Sequence, residues 1–272
     1  MRFALCMLLV ARALSYIPSA MKAGSKYAPV VSGGGSALSG FSSPEFSAKF
    51  SVPDPVIDVA TNKNRGPIVL GSGSASRRMI LTNAGYEFDI VKADLDERAI
   101  GDRSKGDVEN TKTLVSLLAN RKADAILENL KDPVNADKYG NFLGRPLLTA
   151  DQVVICNGQV LEKPLNEGEA RAFMKMYGNH PCSTVGCTAL TNTATGKRVS
   201  AIDVATIYFS DISDEVIDKL ISEGIVFHCA GGLMIENPLI LPFLQRVEGS
   251  EESVMGISST LLDGLFQELY DV

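Results

Sequence analysis

Hydrophobic positions in this chain follow two alternating spacings from residue 67 onward. Short apolar runs bounded by Gly, Pro or Asn predict strands. The predicted strands are Pro67–Leu70, Tyr86–Ala93, Leu148–Cys156, Gln159–Leu161, Cys182–Thr191, Arg198–Phe209 and Leu239–Val247. Apolar residues three and four positions apart predict helices at Ser74–Asn83, Asp107–Leu130, Asn166–Tyr177, Ser213–Glu223 and Ser258–Leu269. Strands that alternate with helices, together with an Asn-Gly hairpin signal at 157–158, predict an α/β fold with a mixed sheet flanked by helices.

Two segments do not follow this alternation. We expect a surface loop at 131–147, where Asp, Asn, Gly and Pro are frequent. Residues 1–64 form a leader whose first 44 positions hold four basic residues and no acidic one. Such a leader is typical of an organellar targeting segment or a signal peptide, and a disordered extension or an upstream start codon is an equal alternative. The predicted domain therefore covers 65–272. Its leader carries no stable membrane span, because Arg12 interrupts a short apolar run.

The composition limits the classes of ligand. The net charge is −6 and the isoelectric point is about 5.1, which argues against a protein that binds nucleic acid polymers. Any anionic ligand must therefore be held by local cations. The five cysteines are irregularly spaced, which favours reduced thiols in an intracellular protein over a disulfide framework.

The stretch GSGSASRR at 71–78 joins a predicted strand to a predicted helix. The first turn of a helix carries unpaired N–H groups and a partial positive charge, so Arg77 and Arg78 are unfavourable there. A bound polyphosphate removes this conflict, since glycine allows close approach, serine hydroxyls donate and Arg77 binds phosphate oxygens as a fork. The pattern is not a P-loop, and it matches the dinucleotide motif only in part because Ser76 replaces the third glycine. A solvated loop with two surface arginines is the alternative.

Five further motifs follow that stretch in a fixed order. They are ADLDE at 93–97, LLANRKADA at 117–125, TADQVVICNGQVLEKP at 149–164, CAGGLMIE at 229–236 and MGISSTLL at 255–262. Together with LGSGSASRR, they resemble the motifs of the Maf family of nucleoside triphosphate pyrophosphatases over about 67–270. The resemblance implies a twisted, anvil-like α/β fold of the Maf/ITPase type. It also implies hydrolysis between the α and β phosphorus atoms of a nucleoside triphosphate.

The resemblance assigns roles to particular residues. It implies that phosphates are bound by Ser72, Ser74, Arg77, Lys122 and Lys163. It implies that Glu97 and Asp151 hold Mg²⁺ or Mn²⁺, with Asp151 also accepting the proton of the attacking water. The residue types agree with this chemistry, because cations and a metal neutralise the triphosphate while a carboxylate acts as general base. Asp151 opens an otherwise apolar strand, where a carboxylate is costly to bury without a cation.

Three positions bear on which nucleotide is preferred. Ser76 resembles neither the dTTP/UTP pyrophosphatase branch of the family nor the 7-methyl-GTP pyrophosphatase branch. Gln152 and Glu236 resemble the 7-methyl-GTP branch. A carboxylate such as that of Glu236 can accept from the two adjacent donors of guanine, and it also favours the positive charge of the methylated ring. The sequence therefore predicts 7-methyl-GTP as the main substrate, with dTTP or UTP as the alternative.

Two other functional classes remain open from the sequence. The first is a catalytically weak nucleotide-binding module on the same fold, against which the intact set of Arg77, Lys122, Asp151 and Lys163 argues. The second is a dinucleotide oxidoreductase, which requires a third glycine and a longer parallel βαβ series. The resemblance further implies a cytoplasmic protein, unless the leader directs it to an organelle, and a homodimer as one form of assembly.

Overall fold

A computed structural model describes residues 65–270, so the predicted leader at 1–64 lies outside the described residues. These residues form seven strands, which we label β1 (Ile68–Leu70), β2 (Phe88–Ile90), β3 (Pro146–Cys156), β4 (Gln159–Leu161), β5 (Cys182–Asn192), β6 (Arg198–Phe209) and β7 (Leu244–Glu248). The helices are α1 (Ala75–Asn83), α2 (Val108–Lys131), α3 (Ala136–Tyr139), α4 (Glu167–Tyr177), α5 (Asp214–Glu223), α6 (Glu251–Met255) and α7 (Ser259–Tyr270).

All seven strands belong to one mixed sheet, which confirms the predicted fold class. The strand order is β2-β1-β3-β5-β6-β7, and β4 pairs with β3 outside this path. β1 pairs in parallel with β2 and β3, whereas the pairs from β3 to β7 are antiparallel. The β3–β4 hairpin turns at Asn157 and Gly158, whose φ angles of 48° and 74° match the turn that an Asn-Gly pair predicts.

One edge of β3 is divided between two partners. β1 pairs with Leu147 and Leu148, and β4 pairs with the segment Val154–Cys156. Within the described residues, positions 149–153 therefore have no strand partner on that side, although β5 pairs with them on the other. Backbone groups along this gap are free to bind side chains, and the gap carries Asp151.

Helices cover both faces of the sheet. The long helix α2 packs Val115 and Ala119 against Val153 of β3 on one face. Leu81 of α1 and Leu265 of α7 pack with Ala150 on the other face. Side chains of a strand point alternately to opposite faces, so consecutive β3 residues enter different surroundings. A third cluster of buried side chains lies around α4 and α5.

Two predictions of local structure were wrong in part. The strand predicted at Leu239–Val247 begins only at Leu244, because Pro242 lies in a 3₁₀ turn over Leu241–Phe243. Proline lacks the N–H that a strand ladder needs, which accounts for the late start. The loop predicted at 131–147 contains the one-turn helix α3 between two 3₁₀ turns, and β3 starts within it at Pro146. Among the described residues, no helix is long and apolar enough to cross a membrane.

Candidate active site

The gap along β3 holds a partly buried ion-pair cluster. Lys122 Nζ lies 2.5 Å from Asp151 Oδ1 and 3.0 Å from Glu97 Oε2. Lys122 and Asp151 are 8% and 7% exposed, whereas the side chain of Glu97 is 48% exposed. One ammonium group therefore bridges the two carboxylates for which the sequence predicted a metal.

The local sequence explains this contact. Thr149 Oγ1 donates to the carbonyl of Ala119, which fixes α2 against β3 one turn before Lys122. Because β3 side chains alternate, Asp151 faces α2 together with Thr149 and Val153, and the spacing of three residues places Lys122 on the same helix face as Ala119. Glu97 reaches the pair from the 3₁₀ turn Glu97–Ala99, which follows β2.

Arg77 is also buried, and its guanidinium contacts only neutral oxygen atoms. Nη1 donates to the carbonyl of Ala150 at 2.9 Å and to Ser72 Oγ at 3.2 Å, while Nε donates to the carbonyl of Gly256 at 3.3 Å. No carboxylate of the described residues is within ion-pairing distance of Arg77. Its positive charge is thus hydrogen-bonded but not neutralised by direct contact.

The serines of the glycine-rich stretch shape the start of α1. Ser74 is the N-cap, and its Oγ accepts from the N–H of Arg77 at 3.3 Å and lies 3.0 Å from Ser76 Oγ. Ser72 Oγ accepts from the N–H of Ser74 at 3.2 Å. A Cβ added to Gly71 would lie 2.6 Å from Thr149, so glycine is required there by packing as much as by ligand approach. The structure thus brings Ser72, Ser74 and Arg77 together.

Lys163 lies apart from this cluster. Its side chain is exposed, and within the described part of the chain its amine forms no hydrogen bond or ion pair. The preceding residue Glu162 accepts from the N–H of Gly231 at 2.9 Å, which ties the end of β4 to the CAGGLMIE segment. A Cβ on Gly232 would lie 3.7 Å from Pro164, so the two segments also pack directly.

The predicted specificity residues have different surroundings. The amide of Gln152 donates to the carbonyls of Ser253 and Val254 at 2.9 Å and 3.0 Å, so it holds α6 against β3. Glu236 is solvent-accessible although many protein atoms surround it, and this surrounding protein raises the pKa of its carboxyl. Gln152 therefore acts on the backbone of α6, and Glu236 keeps an available carboxylate.

Burial and charge act against each other at the cluster. Burial raises the pKa of Asp151, and the adjacent Lys122 ammonium opposes that shift. Burial lowers the pKa of Arg77, while the charges of Asp151 and Glu97 oppose the change. An aspartate with a raised pKa is a better proton acceptor when ionised, which suits a general base.

The donor set fits a hard divalent cation. Among the described residues, no group of three or more His, Cys, Asp or Glu side chains could hold a metal ion. Glu97 and Asp151 nevertheless share one cation, the Lys122 ammonium, so their oxygen atoms converge on a point that favours positive charge. Mg²⁺ is commonly held by one or two carboxylates, with water and substrate phosphate as its other ligands.

Sequence reasoning missed several groups at this site. The carbonyls of Ala150 and Gly256, which accept from Arg77, carry no signal in the sequence. Lys92 is a further cation, because its Nζ would lie 3.6 Å from a Cβ on Gly73. Arg103 was also overlooked, although it contacts the turn that bears Glu97. Its position in GDRSKGD gives no pattern that distinguishes it from a surface arginine.

Comparison with known proteins gives consistent similarities over this region. The family model described as Maf-like protein matches residues 67–269. The chain is 37% identical over 203 residues to a 7-methyl-GTP pyrophosphatase of Dictyostelium discoideum, covering 75% of this chain and 97% of that protein. It is 32% identical to a nucleoside triphosphate pyrophosphatase of Synechococcus, covering 75% and 94%. It is 28% identical to a dTTP/UTP pyrophosphatase of Vibrio vulnificus, covering 74% and 97%.

Proposed function

The chain belongs to the Maf family, and we propose that this nucleoside triphosphate pyrophosphatase takes 7-methyl-GTP as its main substrate. The reaction releases 7-methyl-GMP and pyrophosphate. The substrate preference rests on Gln152 and Glu236 and on the 37% identity to a 7-methyl-GTP pyrophosphatase.

The observation that carries the proposal is a buried, un-neutralised guanidinium beside a buried general-base candidate. Arg77 donates to carbonyl and hydroxyl oxygens but to no carboxylate, so it retains attraction for an anion. The Asp151 carboxyl is near enough to Arg77 to affect its pKa. A phosphate at the start of α1 would meet this guanidinium and the hydroxyl of Ser74 in a setting where charge is weakly screened.

Each residue of the site then has its own role in the proposed reaction. Arg77, Ser72 and Ser74 orient the phosphates, and Asp151 accepts a proton from the attacking water. The Lys122 ammonium can bind either the carboxylates of Glu97 and Asp151 or the triphosphate, because both carry negative charge. Lys163, which is exposed and follows β4, can turn toward the phosphates.

A divalent metal completes the proposed site. Glu97 and Asp151 would hold Mg²⁺ or Mn²⁺, which when bound supplies charge neutralisation for the triphosphate. Because Lys122 occupies the space between the two carboxylates, we propose that its ammonium leaves them when the metal binds.

The test is pyrophosphate release with Mg²⁺ across 7-methyl-GTP, GTP, dTTP, UTP and CTP. We expect the highest kcat/KM for 7-methyl-GTP, and faster turnover of dTTP or UTP would contradict the proposed preference. Asp151→Asn should lower kcat by about 10²–10⁴-fold while nucleotide binding persists, because a positioned general base contributes that much.

The matched control is Asp137→Asn, which changes an exposed aspartate on α3 and should leave activity unchanged. A wild-type protein that binds nucleotides but releases no pyrophosphate would favour the binding-module alternative instead.

A further inference from the structure

Arg103 lies in the loop between the Glu97–Ala99 turn and α2, and its side chain forms hydrogen bonds with the backbone at the start of that loop. Its Nη2 donates to the carbonyl of Glu97 at 2.8 Å, and its Nη1 donates to the carbonyl of Ile100 at 2.6 Å. The guanidinium therefore holds the backbone of the residue whose carboxylate contacts Lys122. The side chain of Glu97 is half exposed, so little other packing restrains it.

The same guanidinium reaches a second segment. Arg103 Nε lies 3.0 Å from Glu162 Oε1, and Glu162 precedes Lys163. This contact is electrostatic, since Nε is buried without a hydrogen-bond partner among the described residues. The carbonyl of Glu162 accepts from Gly231, so the CAGGLMIE segment is tied to the same point.

A backbone contact supports this junction. The N–H of Gly106 donates to the carbonyl of Gly158 at 3.1 Å. A Cβ on Gly106 would lie 2.4 Å from backbone atoms of the β3–β4 turn, so the loop after Glu97 is pressed against that hairpin. Arg103 therefore links the loop after Glu97 to the end of the β3–β4 hairpin, two segments that are also joined by this backbone hydrogen bond.

We propose that Arg103 is a positioning residue that fixes the Glu97 carboxylate relative to Lys163, and so couples the metal side of the site to its phosphate side. This inference rests on the proposed function, because Glu97 and Lys163 have those roles only there. Arginine suits the task better than lysine, since its planar fork serves two carbonyls and a carboxylate at once.

The first test measures Mn²⁺ binding to the purified full chain by electron paramagnetic resonance, with the metal alone and no nucleotide. We expect Arg103→Met and Arg103→Lys to bind Mn²⁺ about tenfold more weakly or worse, as found when groups that orient metal ligands are removed. Lys105→Met is the matched control, because it removes an exposed cation from the same loop. Its Mn²⁺ affinity should equal that of the wild type.

The second test distinguishes the effect of Arg103 on metal binding from its effect on nucleotide binding. Glu162→Gln removes the charge that attracts Arg103 but leaves both carbonyl contacts possible. We expect this variant to raise KM for the nucleotide that the wild type hydrolyses fastest, with Mn²⁺ affinity unchanged. The Arg103 variants should raise KM and weaken Mn²⁺ binding together.

Thermal melting of each variant without metal shows that it is folded, and Arg103→Lys carries the test if Arg103→Met does not fold. Folded Arg103 variants with wild-type Mn²⁺ affinity would overturn the inference, as would a wild type that binds no Mn²⁺. A wild type that binds Mn²⁺ but hydrolyses no nucleotide would overturn the proposed function alone, because the titration still measures the effect of Arg103.

Discussion

At the scale of single residues, the site depends on one lysine placed between two acids. Asp151 is buried and its direct ionic partner is Lys122, which also contacts the half-exposed Glu97. A buried carboxylate is expensive without a cation, so Lys122 stabilises the folded protein as well as serving the proposed chemistry.

Lys122→Met should therefore lower the free energy of unfolding by about 3 kcal/mol, since it leaves a buried charge uncompensated. Without the ammonium, burial raises the Asp151 pKa further above its value in the unfolded chain. Protonation then favours the folded variant, so its loss of stability should shrink as the pH falls toward the unfolded pKa of aspartate. Urea unfolding at neutral and acidic pH measures both effects.

The control for this variant is Lys112→Met, which changes a lysine of the same helix in a surface pair with Glu109. Surface pairs contribute about 1 kcal/mol or less. Equal losses for the two variants at neutral pH would show that the Lys122 pair contributes no more than a surface one.

The carboxyl of Glu236 should make the choice between substrates depend on pH. Surrounding protein raises the pKa of its carboxyl, and only the ionised form can accept from both donors of guanine. The ratio of kcat/KM for 7-methyl-GTP to that for UTP should therefore fall on acidification, starting at a higher pH than for an ordinary glutamate. Taking the ratio cancels the titration of Asp151, which affects both substrates.

Glu236→Gln should make this ratio low and independent of pH. An unchanged profile in that variant would assign base recognition to other residues.

At the scale of elements, the short helix α6 is held by residues on two strands. Gln152 of β3 donates to the carbonyls of Ser253 and Val254, and Ser253 Oγ hydrogen-bonds to Asp203 of β6. The chain then leaves α6 at Gly256, whose carbonyl accepts from Arg77. The position of α6 therefore sets the position of the guanidinium.

Gly256→Ala tests this dependence. Gly256 has φ of 130°, and an added Cβ would lie 3.1 Å from Arg77 Nε and 3.3 Å from Gln152 Oε1. We expect a loss of about 1–3 kcal/mol in stability from the strained backbone, together with a raised KM for the nucleotide. Kinetics and thermal melting measure the two.

Gly264→Ala is the matched control, because Gly264 lies inside α7 and a Cβ there would meet nothing within 4 Å. Alanine should stabilise the helix by about 0.5–1 kcal/mol and leave KM unchanged. A wild-type KM in Gly256→Ala would show that the position of α6 does not affect how Arg77 binds the nucleotide.

At the scale of the whole molecule, residues 65–270 contain the seven-stranded sheet and the cluster at Asp151. The described part begins with Arg65, which forms an ion pair with Asp263 and lies 4.7 Å from the ring centroid of Phe266 in α7. Residue 65 is thus fastened to the last helix.

We therefore expect deletion of residues 1–64 to leave kcat/KM and the melting temperature unchanged, because residues 65–270 by themselves contain a seven-stranded sheet and the ion-pair cluster at Asp151. Comparing the full chain with residues 65–272 measures this. The matched variant is the same deletion with Asp263→Asn, which should melt earlier because the ion pair between Arg65 and residue 263 is lost. Loss of activity on deletion alone would place part of the function in the leader.

Much of the fold followed from patterns in the sequence, and the errors have local causes. The mixed sheet was predicted because short apolar runs alternate with helical spacing, and the Asn157-Gly158 turn was predicted from residues that tolerate positive φ. The late start of β7 and the helix α3 were missed because proline and short turns break periodicity over too few residues to detect. The sequence predicted Arg77 as a phosphate contact in the first turn of a helix, and it gave no signal of the contacts of Arg77 with the carbonyls of Ala150 and Gly256.

The sequence by itself determined which side chains share a face. Alternation along β3 puts Asp151 and Gln152 on opposite faces, and helical spacing puts Ala119 and Lys122 on one. The tertiary structure decided what these faces meet. β1 and β4 pair with different parts of β3, and this leaves the gap where the carbonyl of Ala150 accepts from Arg77. Such contacts join residues far apart in the chain. The sequence does not predict them, because every residue has similar backbone groups and only the pairing of the strands decides which of these groups remain free.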